Sequence, residues 1–131
     1  MSNLLVVLQN AYGVEDGYIP SYEKESFSKC HTGIRLRRAI PENVSVRIIN
    51  ASPLVGREAS SNFKPDIEYI EKSLTEIQPC VILACGVNAR KGIRQVNTDI
   101  PVIEMAHPAY RALTNKTLDK VRKQIEEQIN G

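Results

Sequence analysis

Cysteine is scarce in this chain, and the little there is does not pair. Cys30, Cys80 and Cys85 are an odd number with no C-x-x-C spacing among 131 residues, which argues against both a disulfide framework and a paired-cysteine zinc site and makes a reducing cytoplasm the simplest setting. Long apolar runs are missing too. The start MSNLLVVLQNAYG holds five consecutive apolar residues, Leu4 to Leu8, without the charged leader and long apolar core of a signal peptide, and nothing later approaches the ~20 needed to span a membrane. Nor is there an excess of one charge. With 17 Lys plus Arg against 15 Asp plus Glu, the net charge is +2, which excludes a histone-like polycation or an acidic tail but leaves room for a local phosphate-binding patch. Trp is absent and no internal repeat or low-complexity segment occurs; at 42% hydrophobic residues the composition is that of one globular domain, expected over 1–131, able to hold a core without disulfide or metal.

Four short apolar runs read as strands: Leu4-Leu5-Val6-Val7-Leu8, Val44 to Ile49, Val81-Ile82-Leu83-Ala84, and Val102-Ile103 with its flank to Met105. Three are nearly continuous in apolar residues, the pattern of strands covered on both faces. Val44-Ser45-Val46-Arg47-Ile48 alternates, as an edge strand does. Between the strands, Ile67, Ile70, Leu74 and Ile77 recur at helical steps and predict a helix from about Pro65 to Gln78, stopped by Pro79. Leu118, Val121, Ile125 and Ile129 predict a C-terminal helix with Thr114 or Asn115 as N-cap, and Gly33 to Ile40 is a shorter candidate ended by Pro41. Strands alternating with helices imply right-handed crossovers. The expected fold is a three-layer α/β/α sandwich with a short, mostly parallel four-stranded sheet. Two loops, roughly Tyr12 to Ser28 and Ser52 to Lys64, are long enough to suggest a role in function.

Open α/β sheets bind ligands outside the carboxyl ends of their strands. After the first strand come Gln9-Asn10-Ala11-Tyr12-Gly13, after the second Asn50-Ala51-Ser52-Pro53, after the third Cys85-Gly86-Val87-Asn88, and after the fourth Ala106-His107-Pro108. Three ends offer amide side chains and the fourth a histidine, groups that read hydrogen-bonding edges and stabilise developing negative charge. No carboxylate pair is among them.

In order and spacing this constellation resembles the uracil-DNA glycosylase superfamily, from about Asn3 to Leu113. The closest correspondence is to the branch whose first motif reads Gly-Glu-Ala-Pro-Gly and whose second contains His-Pro-Ser. Here the first site reads Gln9-Asn10-Ala11-Tyr12-Gly13 and the second His107-Pro108-Ala109-Tyr110-Arg111, with Ile48-Ile49-Asn50-Ala51 matching the family strand that ends in a base-reading Asn. The resemblance implies base excision, in which a flipped base is held in a pocket while the glycosidic bond breaks and negative charge builds on the base. It implies that His107 donates a hydrogen bond to a base oxygen, that Asn50 pairs with the base edge, that Phe27 stacks on the base face, and that Asn10, Ala11 and Tyr12 lie against the base and orient water. Thr32 and Gly33 match a turn facing phosphate, at a helix N-terminus that favours anions, with Ser52 and Arg111 as the remaining phosphate contacts.

The departures from the family pattern carry their own expectations. Where the matching branch has an acidic residue this chain has Asn10, and an amide cannot act as a general base, so hydrolysis here rests on water orientation and electrostatics. Tyr12 replaces a usual Pro. The branch carries an iron-sulfur cluster held by four cysteines, and with three no cluster, and no other cofactor or metal, is expected. The chain is short for the family, which favours single-stranded DNA, a free nucleotide or a protein partner over ordinary duplex. The resulting reading is a compact glycosylase acting on uracil or a modified base, with a catalytically inactive module that binds a nucleotide, nucleic acid or protein as the alternative. Structural readings stand beside the functional ones. His107 could be a satisfied structural residue, Asn50 a loop cap, Asn88 part of the first turn of a short helix, Arg35, Arg37 and Arg38 a solvated helix face, and Cys80 and Cys85 small core residues. Adjacent Cys30 and His31 cannot make a metal site by themselves.

Overall fold

The five-residue apolar runs Leu4 to Leu8 and Val81 to Cys85 demand cover on both faces, and they form the centre of the sheet. The computed structural model describes residues 3–9, 21–54, 56 and 63–130. Strands β1 (Asn3–Leu8), β2 (Ser45–Asn50), β3 (Val81–Cys85) and β4 (Val102–Met105) pair in the order β2-β1-β3-β4, every pair parallel. The helices are α1 (Glu25–Lys29), α2 (His31–Ala39), α3 (Ile67–Ile77), α4 (Val87–Gln95) and α5 (Asn115–Asn130). Leu4, Val6, Leu8, Ile48 and Leu83 pack with Leu36 of α2 and Leu118, Val121 and Ile125 of α5. Alternate residues Leu5, Val7, Ile49 and Ile82 pack with Ile70 and Leu74 of α3 and Ala89 and Ile93 of α4. This is the expected sandwich, with a sheet that is parallel throughout.

Local chemistry sets the helix ends. Asp66 accepts the Tyr69 N–H at 3.0 Å and starts α3, which ends at Gln78 in the left-handed region (φ 50°) just before Pro79. Thr114 Oγ1 accepts the Thr117 N–H at 3.3 Å at the start of α5. The start of α2 falls two residues ahead of Gly33 because its cap is a thiol: Cys30 Sγ accepts from the Gly33 N–H at 3.3 Å. Sulfur is a weak acceptor outside the usual Ser, Thr, Asp and Asn capping set, so pattern reading passes over it.

Three expectations need correction. The stretch read as a loop to Ser28 contains α1, a five-residue helix with too few turns to show a periodicity. Strand β4 is covered on one face only, since Val102 is 37% exposed and Glu104 is exposed at the sheet edge. Cys80 is an exposed residue whose thiol meets the Asn3 carbonyl at 3.1 Å, whereas Cys85 is fully buried as expected.

The α1–α2 junction depends on a single glycine. A Cβ on Gly33 would fall 1.8 Å from the Phe27 carbonyl oxygen, a backbone atom that cannot swing aside. Gly33→Ala is therefore expected to cost about 1–3 kcal/mol as overpacking, read as a lower urea midpoint at unchanged slope; an unaltered midpoint would show that α1 moves freely against α2.

Candidate functional site

Parallel register sets four side chains in one row at the carboxyl end of the sheet. Leu8 pairs with Asn50 and Cys85 with Met105, and Leu8 and Cys85 lie one step beyond the Val7–Ala84 pair. Because side chains alternate between faces, Asn50, Leu8, Cys85 and Met105 all point to the α2/α5 side. Leu8, Cys85 and Met105 are buried at 6%, 0% and 4% exposure and make an apolar floor. Asn50 stands at one end of that floor. It is 7% exposed, and its amide makes no hydrogen bond to any described residue. No hydrogen bond ties this amide to the described residues that follow it, so among them the loop-capping role for Asn50 has no support.

His107 stands at the other end, two residues beyond Met105. Its carbonyl accepts from the Tyr110 N–H at 2.9 Å around a turn with Pro108 buried at the second position, and its Nδ1 accepts from the Ala109 N–H at 3.1 Å. Burial holds the imidazole below its ordinary pKa of 6.5, so the ring is neutral at pH 7. With Nδ1 occupied as an acceptor, the single ring proton is on Nε2 and is available to donate.

Gly86 fixes the ring's place. It adopts φ 94° and donates its N–H to the Met105 carbonyl at 2.9 Å, and a Cβ there would lie 3.3 Å from His107 Cβ. The other strand ends are joined in the same way. Ala51 N–H donates to Leu8 at 2.7 Å, Ser52 N–H to Gln9 at 3.2 Å, and Asp66 N–H to Ala51 at 2.8 Å. The far end of the histidine loop is held by Arg35, whose guanidinium donates to the Leu113 carbonyl.

The remaining predicted residues divide into several groups. Asn10, Ala11 and Tyr12 lie outside the described residues. Phe27 is half-buried against the α2/α5-side core and tilted on Tyr22 at 6.4 Å, so it shares a face of the sheet with Asn50. Thr32 is half-buried in the first turn of α2, beside Gly33. Ser52 is 2% exposed, its hydroxyl accepting the Leu54 N–H at 3.2 Å. Arg111 is exposed and makes no ion pair with a described residue. Asn88 lies in the first turn of α4 and donates to the Phe63 carbonyl at 3.0 Å. The arginine run is committed within the chain: Arg35 to Leu113, Arg37 to the Tyr22 carbonyl and over its ring, and Arg38 bidentate to Asp119. Sequence reading passed over Gly86 as a shaping residue, although a glycine directly after a buried strand was the available signal.

The sequence model of the uracil DNA glycosylase superfamily matches residues 10–129. The chain belongs to that superfamily. No curated protein and no solved structure matches it significantly. Among superfamily members this one does not fit an iron-sulfur cluster: Cys80 and Cys85 sit at opposite ends of β3, roughly 16 Å apart at strand rise, and Cys30 caps α2. Burial also raises the Cys85 thiol pKa, leaving it protonated and inert. Among the described residues no group of three or more His, Cys, Asp or Glu could hold a metal, and no helix is long and apolar enough to cross a membrane.

Two outcomes follow from this glycosylase-superfamily site. The His107 imidazole should titrate below 6.5 with its proton on Nε2 at pH 7, as seen in ¹⁵N spectra; a value at or above 6.5 would contradict the burial. The unfolded chain then takes up the proton first, so stability falls as pH drops below about 6.5. Gly86→Ala should cost about 1–3 kcal/mol from a positive-φ backbone region that is essentially glycine-only and shift the His107 ring resonances; unmoved resonances would separate Gly86 from the site.

Proposed function

We propose that this protein excises a base: it cleaves the N-glycosidic bond of uracil or a modified base in DNA, preferring a single strand. The observation that carries the reading is the row at the sheet end, with a largely buried amide that bonds to no described residue at one side and a neutral histidine, its Nδ1 accepting from Ala109, beyond the other. The ends of β2 and β4 are three strand spacings apart, roughly 14 Å, a span that a planar ring held from both edges can bridge over the floor of Leu8, Cys85 and Met105. Asn50 pairs with the base edge. As the bond from C1′ to the base nitrogen breaks, its electron pair moves onto the base, the sugar becomes oxocarbenium-like, and His107 Nε2–H donates to the base oxygen on which charge accumulates. Water then adds to C1′ and loses its proton to solvent, and the released base anion takes one proton up from solvent.

Phe27, on the same face as Asn50, supplies the stacking surface in this reading. Thr32, Gly33, Ser52 and Arg111 take the flanking phosphates, and Asn10, Ala11 and Tyr12 border the base and the attacking water. An amide at Asn10 makes the chemistry slow relative to a site with a carboxylate base. That same residue favours a second reading, a module with the pocket but no turnover, which binds a nucleotide, nucleic acid or protein partner.

Single-turnover assays on single- and double-stranded oligonucleotides carrying uracil and a panel of modified bases test the proposal. Free base should be released, with His107→Ala slower by ~10²–10³, and the rate should hold from pH 8 to 6.5 and decline only below, where protonation removes the Ala109 bond that orients the ring. Binding without release on long incubation would establish the second reading. Release that is indifferent to His107→Ala would remove this mechanism.

A further inference from the structure

A recess opens on the α3/α4 face of the sheet, opposite to the face that carries Asn50. It has a volume of about 590 Å³ and is lined by Phe63, Lys64, Pro65, Asn88, Lys91 and Gln95, a size within the roughly 300–1,000 Å³ of ligand sites. Its walls are built rather than incidental. Asn88 Nδ2 donates to the Phe63 carbonyl at 3.0 Å, and the Asp66 N–H donates to the Ala51 carbonyl at 2.8 Å, so the 63–66 segment is tied both to α4 and to the end of β2. Gly92 lets the walls close, since a Cβ there would meet Ile70 Cδ1 at 2.7 Å and Pro65 Cβ at 3.0 Å. On α4, Asn88, Lys91 and Gln95 follow at steps of three and four and form one stripe facing the recess.

The lining selects an anion. Lys64 and Lys91 are exposed, and neither forms an ion pair with any described residue. Asp66, next to the recess, is occupied in capping Tyr69. The recess at the β4 edge offers a contrast: it is of similar volume, about 580 Å³, but its lining includes Glu104 and Glu127, and its Arg94 is already held by Glu104 at 2.7 Å. Two ammonium groups with no ion-pair partner among the described residues, next to a half-buried aromatic ring and two amides, make the combination that grips a nucleic-acid strand, with phosphates on the cations and a base against the ring. Position agrees with this. Asn88 is two residues from Gly86, the residue that touches His107, so a strand with one base in the site can continue across the start of α4 into the recess.

We infer that this recess holds the strand flanking the excised nucleotide, through phosphate contacts from Lys64 and Lys91 and stacking on Phe63. The inference extends the base-excision reading and rests on it for the identity of the ligand. Its test reads binding rather than turnover: fluorescence anisotropy of a labelled single-stranded, uracil-containing oligonucleotide over a range of salt concentrations, with Lys64→Gln/Lys91→Gln, Phe63→Ala, and Lys120→Gln/Lys123→Gln on α5 as a charge-matched control.

Loss of two single-strand phosphate contacts should flatten the slope of log K against log salt by about 1.4, and Phe63→Ala should weaken binding at least about fivefold, while the α5 control keeps the wild-type slope. An unchanged slope in the recess variant, an equal change in the control, absence of wild-type binding, or displacement by inorganic phosphate at equal phosphate concentration would overturn the inference. The two proposals fail separately. Binding that depends on Lys64 and Lys91 without base release would remove the chemistry and keep the strand site, whereas base release with an unaltered slope would do the reverse.

Discussion

Parallel pairing puts all four strand carboxyl ends on one side of the sheet, and the candidate site depends on that constraint. No hairpin can join parallel neighbours, so each connection crosses over a face and returns. The order β2-β1-β3-β4 reverses direction between β1 and β3, and at such a switch point the crossovers leave on opposite faces and part above the strand ends. In-register pairing then sets Asn50, Leu8, Cys85 and Met105 in a line. Hydrogen bonds from Ala51, Ser52 and Gly86 to neighbouring strand ends lock the segments that leave the sheet. The site is a product of sheet registry more than of any one loop.

Much of this was legible where burial is two-sided or a helix is long. Leu4 to Leu8 and Val81 to Ala84 read as central strands because nothing polar interrupts them, and α3 and α5 carry apolar residues at three- and four-residue steps over several turns. Val102 looks like a core residue and is not; what exposes it is the place of β4 at the end of the described sheet, which no local pattern records. Helix α4 stood only as an alternative for Asn88, since its inward face is Ala89, Gly92 and Ile93, two of them too small to give a periodic signal. That small face is what allows α4 to sit close to Pro65 and Ile70.

The candidate site residues show the same division. Asn50 and His107 stand out as candidates in the sequence because polar groups at strand ends have few structural reasons to be there. The arginines of α2 could not be assigned from sequence, as their partners are distant in the chain: Arg38 meets Asp119 and Arg35 meets Leu113. They join α2 to α5 and to the segment that carries His107, so a run that reads as a solvated helix face serves as a brace. Lys64 and Lys91, far apart in sequence, both line the recess between α4 and the 63–66 segment, and neither has an ion-pair partner among the described residues. Charge clustering along the chain was a poor guide to charge clustering in space.

The central claim is that Asn50 and the Nε2–H of His107 hold one base between them. The most direct measurement is a titration of free bases, uracil first and then a small panel of related bases, into ¹⁵N-labelled protein, following the Asn50 side-chain amide and the His107 ring. The account predicts that one base moves both resonances together, with a common dissociation constant, and moves Gly86 with them because its backbone lies against the histidine. Shifts confined to one of the two residues, or saturable shifts elsewhere in the sheet with both unmoved, would contradict it.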